Sequence, residues 1–237
     1  MKKHLKITLI LFIILSIVLS VDYYNITKAT SDNLEVKTVI IDAGHGAFDC
    51  GGIADDGVFE KDINLALAKK LDYVLKLYGI NTIMTRTDDT ALGKTETDSK
   101  TNKVKDTKAR VALMKENPNA IFISIHQNKF SDASVKGFQT FYKKGDENAK
   151  LLAEFIQNSF VDGLKPDKVR VAKSDNRNVY ILEKSTIPTV IVECGFLSNP
   201  EDLQNLKSSA YQGKIAFKVA EGILKYIKGN YENERKN

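Results

Sequence analysis

The stretch VIIDAGHGAFDCGG, residues 39–52, decides the fold. Apolar, β-branched residues lead into Asp42, and the chain then turns at Gly44 and Gly46 with His45 between them. A buried strand that ends in a glycine-flanked histidine is typical of α/β proteins, which present ligands at the carboxyl ends of their strands. Glycine favours such a turn because it allows unusual backbone angles and close approach. The stretch therefore predicts that His45 belongs to a functional site.

Strand-like and helix-like segments alternate along the rest of the chain. Apolar runs predict strands at 38–42, 81–86, 120–126, 136–142 and 188–193, with short candidates at 168–172 and 178–182. Apolar spacings of three and four predict helices at 60–78, 104–116, 148–160, 200–206 and 211–227, and residues 87–103 indicate a polar loop. The connections predict an α/β fold, a three-layer sandwich whose mostly parallel sheet has about six strands and helices on both faces.

The composition is that of an ordinary globular domain, with 43% hydrophobic and 27% charged residues. The net charge of +5 includes three lysines within the first six residues, so it does not support nucleic acid as a partner. A mildly basic surface is compatible with an anionic polymer such as a bacterial wall. The two cysteines, Cys50 and Cys194, cannot form a disulfide framework. Two free thiols, one disulfide between them, or a metal or redox role all stay open.

The amino terminus indicates export. Residues 1–6 are basic, residues 7–21 form an unbroken apolar run, and Asp22 ends it. This run is long for a secretory signal and short for a membrane span. A cleaved signal peptide and an uncleaved signal anchor are both open, and a buried helix of the domain is a third alternative. The first two place the protein outside the cytoplasm, either secreted to the wall or anchored by this leader, which is the expected contact with the membrane.

Four polar residues are expected at one edge of the sheet. His126 and Glu193 end predicted strands, His45 follows the first predicted strand, and Glu60 opens the first predicted helix. Two histidines and one carboxylate match the ligands of catalytic zinc sites, which leave one coordination position open. A second carboxylate can then serve as general acid and base. Because Glu60 follows His45 by only fifteen residues, we assign Glu60 to the metal and Glu193 to proton transfer.

The motifs DAGHG, EKDINLALA, SIHQN and VECGFLSNPED occur in this order. They resemble the type 3 family of zinc-dependent N-acetylmuramoyl-L-alanine amidases, over roughly residues 36–227. The resemblance implies one Zn²⁺ per chain, bound by His45, Glu60 and His126, with Glu193 as the catalytic residue. It implies hydrolysis of the amide between N-acetylmuramic acid and L-alanine in peptidoglycan. A single domain with an N-terminal hydrophobic leader is similar to the germination-specific, spore-cortex branch of this family. This resemblance would place the protein in the space around the forespore.

Several alternatives stay open. Arg86 either binds a substrate carboxylate or pairs with Asp88 or Asp89, and Asn128 either orients a metal ligand or is a turn residue. The rival functions are a zinc carboxypeptidase-like peptidase and a non-catalytic wall-binding protein. An exported protein partner that activates or localises the enzyme is a further hypothesis. The expected division is a signal peptide or anchor with tether at 1–30, a catalytic amidase domain at 36–229, and a polar tail at 230–237.

Overall fold

The computed structural model describes residues 38–93, 99–166 and 169–234. The predicted leader at residues 1–30 lies outside these ranges, and so do residues 235–237 of the predicted tail. Within the described ranges, no helix has the length and apolar character that a membrane span requires.

The described residues form six strands and six helices. The strands are β1 (Thr38–Ala43), β2 (Asn81–Met84), β3 (Ala120–Asn128), β4 (Gln139–Tyr142), β5 (Lys173–Ser174) and β6 (Thr189–Phe196). The helices are α1 (Glu60–Leu77), α2 (Ser99–Glu116), α3 (Glu147–Leu164), α4 (Tyr180–Glu183), α5 (Pro200–Lys207) and α6 (Ser209–Glu234).

The strands form one sheet in the order β2-β1-β3-β6-β4-β5. The pairs β2–β1, β1–β3 and β3–β6 are parallel, and β4 runs antiparallel to β6. The predicted α/β fold with a mostly parallel, six-stranded sheet is therefore confirmed. His126 of β3 lies directly opposite Glu193 of β6, and β1 lies on the other side of β3. This register brings the carboxyl ends of β1, β3 and β6 to one edge.

Helices cover both faces of the sheet because alternate residues of the central strands point in opposite directions. On one face, Ile40, Phe122 and Ile191 pack against α2 and α4. The helical side of this cluster consists of Val111, Met114, Ile181 and Leu182. On the other face, α1 and α3 pack against the strands, and α6 packs against both of these helices. Their buried residues include Leu67, Leu71, Ile156, Phe160, Val219 and Ile223.

Some predicted elements differ from the structure. The strand predicted at 178–182 is wrong, because this segment contains the short helix α4, whose Ile181 and Leu182 are buried in the core. The strand predicted at 168–172 is displaced, since among the described residues there only Lys173–Ser174 pairs, with β4. Helix α2 begins at Ser99, inside the predicted loop, and its polar surface carries little apolar periodicity. Helix α6 continues to Glu234, into the predicted tail.

Candidate metal centre

His45 lies in a turn with left-handed backbone. Its φ is +63°, and the φ of Ala47 is +48°. Non-glycine residues in this region are strained and cluster at functional sites. Backbone hydrogen bonds between Gly46 and Asp49 close the turn at 2.9 and 3.0 Å. The turn brings the Asp49 carboxylate 2.8 Å from Nδ1 of His45, so that Nε2 is directed toward Glu60 Oε2, at 3.2 Å.

Glu60 is buried at the start of α1, where several groups fix its carboxylate. Oε2 accepts a hydrogen bond from the Gly52 N–H at 2.8 Å, and Oε1 accepts one from the Gln127 N–H at 3.0 Å. Nδ1 of His126 lies 2.9 Å from Oε1. Burial alone would raise the pKa of Glu60, but the hydrogen bonds with His126 and His45 outweigh it and hold the pKa far below its ordinary value. The carboxylate is therefore ionised and oriented by the fold.

The electrostatics around His45 favour a bound cation. Burial lowers the pKa of the imidazole, but hydrogen bonding and charge from Asp49 and Glu60 raise it to about 9. Two carboxylates that stabilise a positive charge at this ring would also stabilise a metal cation beside it. A carboxylate behind a histidine is a common arrangement around protein-bound metals, because it fixes the ring and its tautomer.

Two glycines allow these side chains to pack against the backbone. A Cβ at Gly44 would lie 2.2 Å from Nε2 of His126. A Cβ at Gly51 would lie 2.6 Å from both Glu60 Oε2 and His45 Cδ2. Any larger residue would overlap the site, so both glycines are required by close contact.

The three residues predicted as zinc ligands are brought together. Each of His45, Glu60 and His126 offers one ligand atom, and these atoms all lie within 4.8 Å of one another. Imidazole nitrogen and carboxylate oxygen are ligands that suit Zn²⁺. The donor set, its spacing and the Asp49 carboxylate behind His45 fit a zinc ion.

Glu193 lies in the same cleft, which has a volume of about 380 Å³. Its side chain is nearly completely buried, and its Oε2 has no hydrogen-bond partner among the described residues. Burial raises the pKa of this carboxyl, and the nearby Glu60 charge raises it further. A buried polar atom without a partner calls for an explanation. Glu193 lines the cleft, and a role in the chemistry of a bound substrate would explain this oxygen.

The buried ion pair between Asp42 and Arg110 stabilises the turn that contains His45. Asp42 accepts hydrogen bonds from Nε of Arg110 at 2.7 Å, from Thr85 Oγ1 at 2.8 Å and from Ser124 Oγ at 2.6 Å. Arg110 also pairs with Asp106, and its Nη2 donates to the carbonyl oxygen of His45 at 3.0 Å. The strand residue Asp42 therefore positions His45 through Arg110.

Arg86 binds backbone carbonyls. Its Nε donates to Ala43 O at 2.9 Å, and its Nη2 donates to Gly44 O at 3.2 Å. It contacts Asp88 through the carbonyl oxygen, at 3.0 Å, and the predicted carboxylate partner Asp89 instead pairs with Lys61, at 2.6 Å. Arg86 is buried, and its hydrogen bonds among the described residues go to backbone carbonyl oxygens and not to the carboxylate of Asp88 or Asp89.

Asn128 ends β3 after an irregularity in the β3–β6 register. Its carbonyl oxygen accepts a hydrogen bond from the Leu197 N–H at 2.8 Å. The described residues provide no hydrogen-bond partner for its side chain, so a metal-orienting role for Asn128 has no support in the geometry. Cys50 and Cys194 are both free thiols, in agreement with the first alternative for them.

Sequence reasoning did not identify Arg177, at the rim of the cleft. Its Nε donates to Asp175 Oδ1 at 2.8 Å, and its guanidinium lies over the ring of Phe141, 4.3 Å from the centroid. Its Nη1 lies 3.9 Å from Glu193 Oε1. The segment between β5 and α4 has no apolar periodicity, and only the tertiary structure places this arginine at the site.

Comparison with known proteins identifies the family. The family model described as N-acetylmuramoyl-L-alanine amidase matches residues 39–225. The chain is 35% identical to the germination-specific N-acetylmuramoyl-L-alanine amidase of Bacillus subtilis, over 84% of each chain. It is also 36% identical to the uncharacterised protein YqiI of the same organism, over 83% of this chain and 87% of the relative.

The solved structures agree with this result. The CwlD amidase of Clostridioides difficile, determined in complex with the GerS lipoprotein, superposes with a TM-score of 0.77 at 37% identity. The match covers 81% of this chain and 99% of the CwlD chain. The family match covers every predicted site residue, from His45 to Glu193, and the chain belongs to the N-acetylmuramoyl-L-alanine amidase family.

Proposed function

We propose that this peptidoglycan amidase works with one zinc ion held by His45, Glu60 and His126, and with Glu193 as general acid and base. The observation that carries the proposal is that Glu193 lines the same cleft as His45, Glu60 and His126, while its buried Oε2 has no hydrogen-bond partner among the described residues. The bond cleaved is the amide between the lactyl group of N-acetylmuramic acid and L-alanine.

The chain's own residues account for the proton transfers. When bound, zinc supplies a Lewis acid that polarises the amide carbonyl and makes water more acidic. Glu193 takes a proton from the attacking water as the new carbon–oxygen bond forms. It then donates this proton to the alanine nitrogen as the carbon–nitrogen bond breaks, which releases the stem peptide as an amine and leaves a muramyl carboxylate. A carboxyl whose pKa is raised by burial can hold the proton between these two steps.

The supporting residues keep this geometry rigid. Asp49 fixes the ring of His45, and Arg110 fixes the backbone carbonyl of His45. Glu60 is fixed by backbone N–H groups of two separate segments, at Gly52 and Gln127. Rigid positioning matters because a displacement of about 1 Å can lower the rate roughly 100-fold.

The test is Glu193→Gln, with Glu201→Gln as the matched control. Glu201 is exposed and pairs with Lys136, so its substitution should leave the rate unchanged. Glu193→Gln should fold and retain zinc, measured by elemental analysis, while hydrolysis of purified peptidoglycan falls about 10²–10⁴-fold. Zinc retention with a rate close to wild type would remove Glu193 from the mechanism. Mass spectrometry of the wild-type digest should show intact stem peptides, whereas a carboxypeptidase would release only a terminal amino acid.

The relatives support a role outside the cytoplasm, in the cell wall or in the spore cortex. One relative is named as germination-specific, and CwlD was solved with a lipoprotein. We therefore extend the proposal to export through residues 1–30 and to an exported protein partner that localises or activates the enzyme. Zinc content and activity of the protein without residues 1–30 test this part. Complete zinc loading and full activity of the isolated protein would exclude a required activator.

A further inference from the structure

Arg177 lines the cleft and is held by two neighbours, Asp175 and Phe141, which do not contact its terminal nitrogens through hydrogen bonds. Asp175 accepts the hydrogen bond from Nε at 2.8 Å, and Oδ2 of Asp175 accepts one from the Val179 N–H at 3.0 Å. The ring of Phe141 supports the guanidinium plane. Among the described residues, no hydrogen bond uses the Nη groups of Arg177. The side chain is therefore preorganised, with its donor edge free for a ligand.

The ion pair with Glu193 does not account for this arrangement. The distance of 3.9 Å from Nη1 to Glu193 Oε1 exceeds that of a hydrogen bond. The guanidinium is nearly half exposed, whereas the Glu193 carboxylate is buried. Arg177 and Glu193 line the same cleft, and the arginine side chain is the more exposed of the two.

The chemistry of the substrate indicates which group the guanidinium of Arg177 binds. Glu193 donates its proton to the alanine nitrogen, so the groups next to Glu193 contact the peptide side of the scissile bond. The second residue of the stem is a glutamyl residue linked through its side chain, which leaves its α-carboxyl group either free or amidated. Along an extended peptide this carboxyl lies about 6 Å from the alanine nitrogen. Arg177 is within reach of it, and a guanidinium fork matches a carboxylate.

We propose that Arg177 recognises the free α-carboxylate of the second stem residue and makes the enzyme prefer stems that are not amidated there. This inference rests on the proposed function, because it assigns the peptide side of the cleft from the role of Glu193.

The experiment compares three synthetic muramyl tripeptides with the zinc-loaded enzyme. The first has free carboxylates, the second has a carboxamide at the α-carboxyl of residue two, and the third has a carboxamide only at the end of residue three. Wild type should show a KM roughly tenfold or more higher for the second substrate than for the first, because a charged hydrogen bond is lost. The third substrate should behave like the first.

Variants then assign the preference to this side chain. Arg177→Gln should raise the KM for the first and third substrates to the value for the second, and Arg177→Lys should restore part of the difference, since lysine keeps the charge without the fork. Lys184→Gln is the control, because Lys184 is exposed and pairs with Glu183. Calorimetric binding of the released tripeptide with a free α-carboxylate should weaken in Arg177→Gln, which provides a readout independent of turnover.

Three results would overturn the proposal. The first is a wild type that does not distinguish the first two substrates. The second is an Arg177→Gln variant that loses kcat equally on all three, since Arg177 would then act through Glu193. The third is a higher KM for the substrate amidated at residue three than for the substrate amidated at residue two. Failure of wild type to cleave any of the three would instead contradict the proposed function.

Discussion

Replacing Gly44 by alanine tests whether the closeness of the turn to His126 is essential. Gly44 does not have a left-handed backbone, so alanine introduces no backbone strain and the effect is one of contact alone. The added methyl carbon would lie 2.2 Å from His126 Nε2, whereas ordinary contact begins near 3.4 Å. The ring must therefore retreat by about 1.2 Å or rotate out of the site.

Such a movement should separate folding from function. Overpacking of this kind lowers the free energy of unfolding by about 1–3 kcal/mol, so Gly44→Ala should remain folded at room temperature. Displacement of one ligand by more than 1 Å should lower the hydrolysis rate at least about 100-fold. Zinc affinity should fall as well. The measurements are urea denaturation, zinc titration and release of stem peptides from peptidoglycan.

Two further variants separate the contact with His126 from other effects of the added methyl group. Gly213 in α6 has open space around its Cβ position and an ordinary backbone, so Gly213→Ala should be neutral or stabilise the protein by up to about 1 kcal/mol. In a His126→Ala background the clash partner is absent, so Gly44→Ala should lose its effect on stability. A wild-type rate of peptidoglycan hydrolysis by Gly44→Ala, or a destabilisation that persists in the His126→Ala background, would show that contact with His126 is not essential.

Two other predictions concern the support of the turn. Burial raises the pKa of Asp42, but Arg110 and Ser124 outweigh burial and hold the pKa below its ordinary value of 3.8. The Asp42 carboxylate therefore stabilises the fold above that pH. This stabilisation is lost as the pH falls through the folded-state pKa. Asp42→Asn should therefore lower the free energy of unfolding by about 3–5 kcal/mol at neutral pH; the difference from wild type should shrink in acid, and a difference independent of pH in urea titrations would contradict this reasoning. Asp49→Asn should weaken zinc binding about 10–100-fold, because the ring of His45 is no longer fixed. The control is Lys103→Gln, which removes only an exposed partner of Asp49 at 3.1 Å and should leave zinc affinity unchanged. Equal zinc affinities for Asp49→Asn and wild type would contradict this prediction.

The central sheet and four site positions could be predicted because their signals are local. β1, β3 and β6 each contain a run of β-branched and other apolar residues, which is followed by a polar residue near the end of the strand. Parallel strands share the direction of their carboxyl ends, so His45, His126 and Glu193 had to meet at one edge. Glu60 could be predicted from its place at the first helical turn, close behind His45.

The parts that could not be predicted depend on tertiary contacts. Val179, Tyr180 and Ile181 have side chains that favour strands, yet α4 forms there because Ile181 and Leu182 are buried against α2. Arg177 precedes this helix in a polar segment, and nothing in its neighbours indicates a cleft. Arg86 was expected to pair with a carboxylate. Its hydrogen bonds instead go to backbone carbonyl oxygens, including those of Ala43 and Gly44.

The arginine contacts of the turn limit how this centre could be transplanted into another scaffold. Three successive carbonyl oxygens, of Ala43, Gly44 and His45, each accept a hydrogen bond from Arg86 or Arg110. Arg86 follows β2 and Arg110 lies on α2, so both come from outside the segment that contains His45. A designer who grafted DAGHG and the remaining ligands onto a new sheet would obtain the donor atoms without the two arginine side chains that stabilise the strained turn. The smallest portable unit therefore comprises β1, the end of β2 and the arginine-bearing part of α2, together with the ligands on α1 and β3.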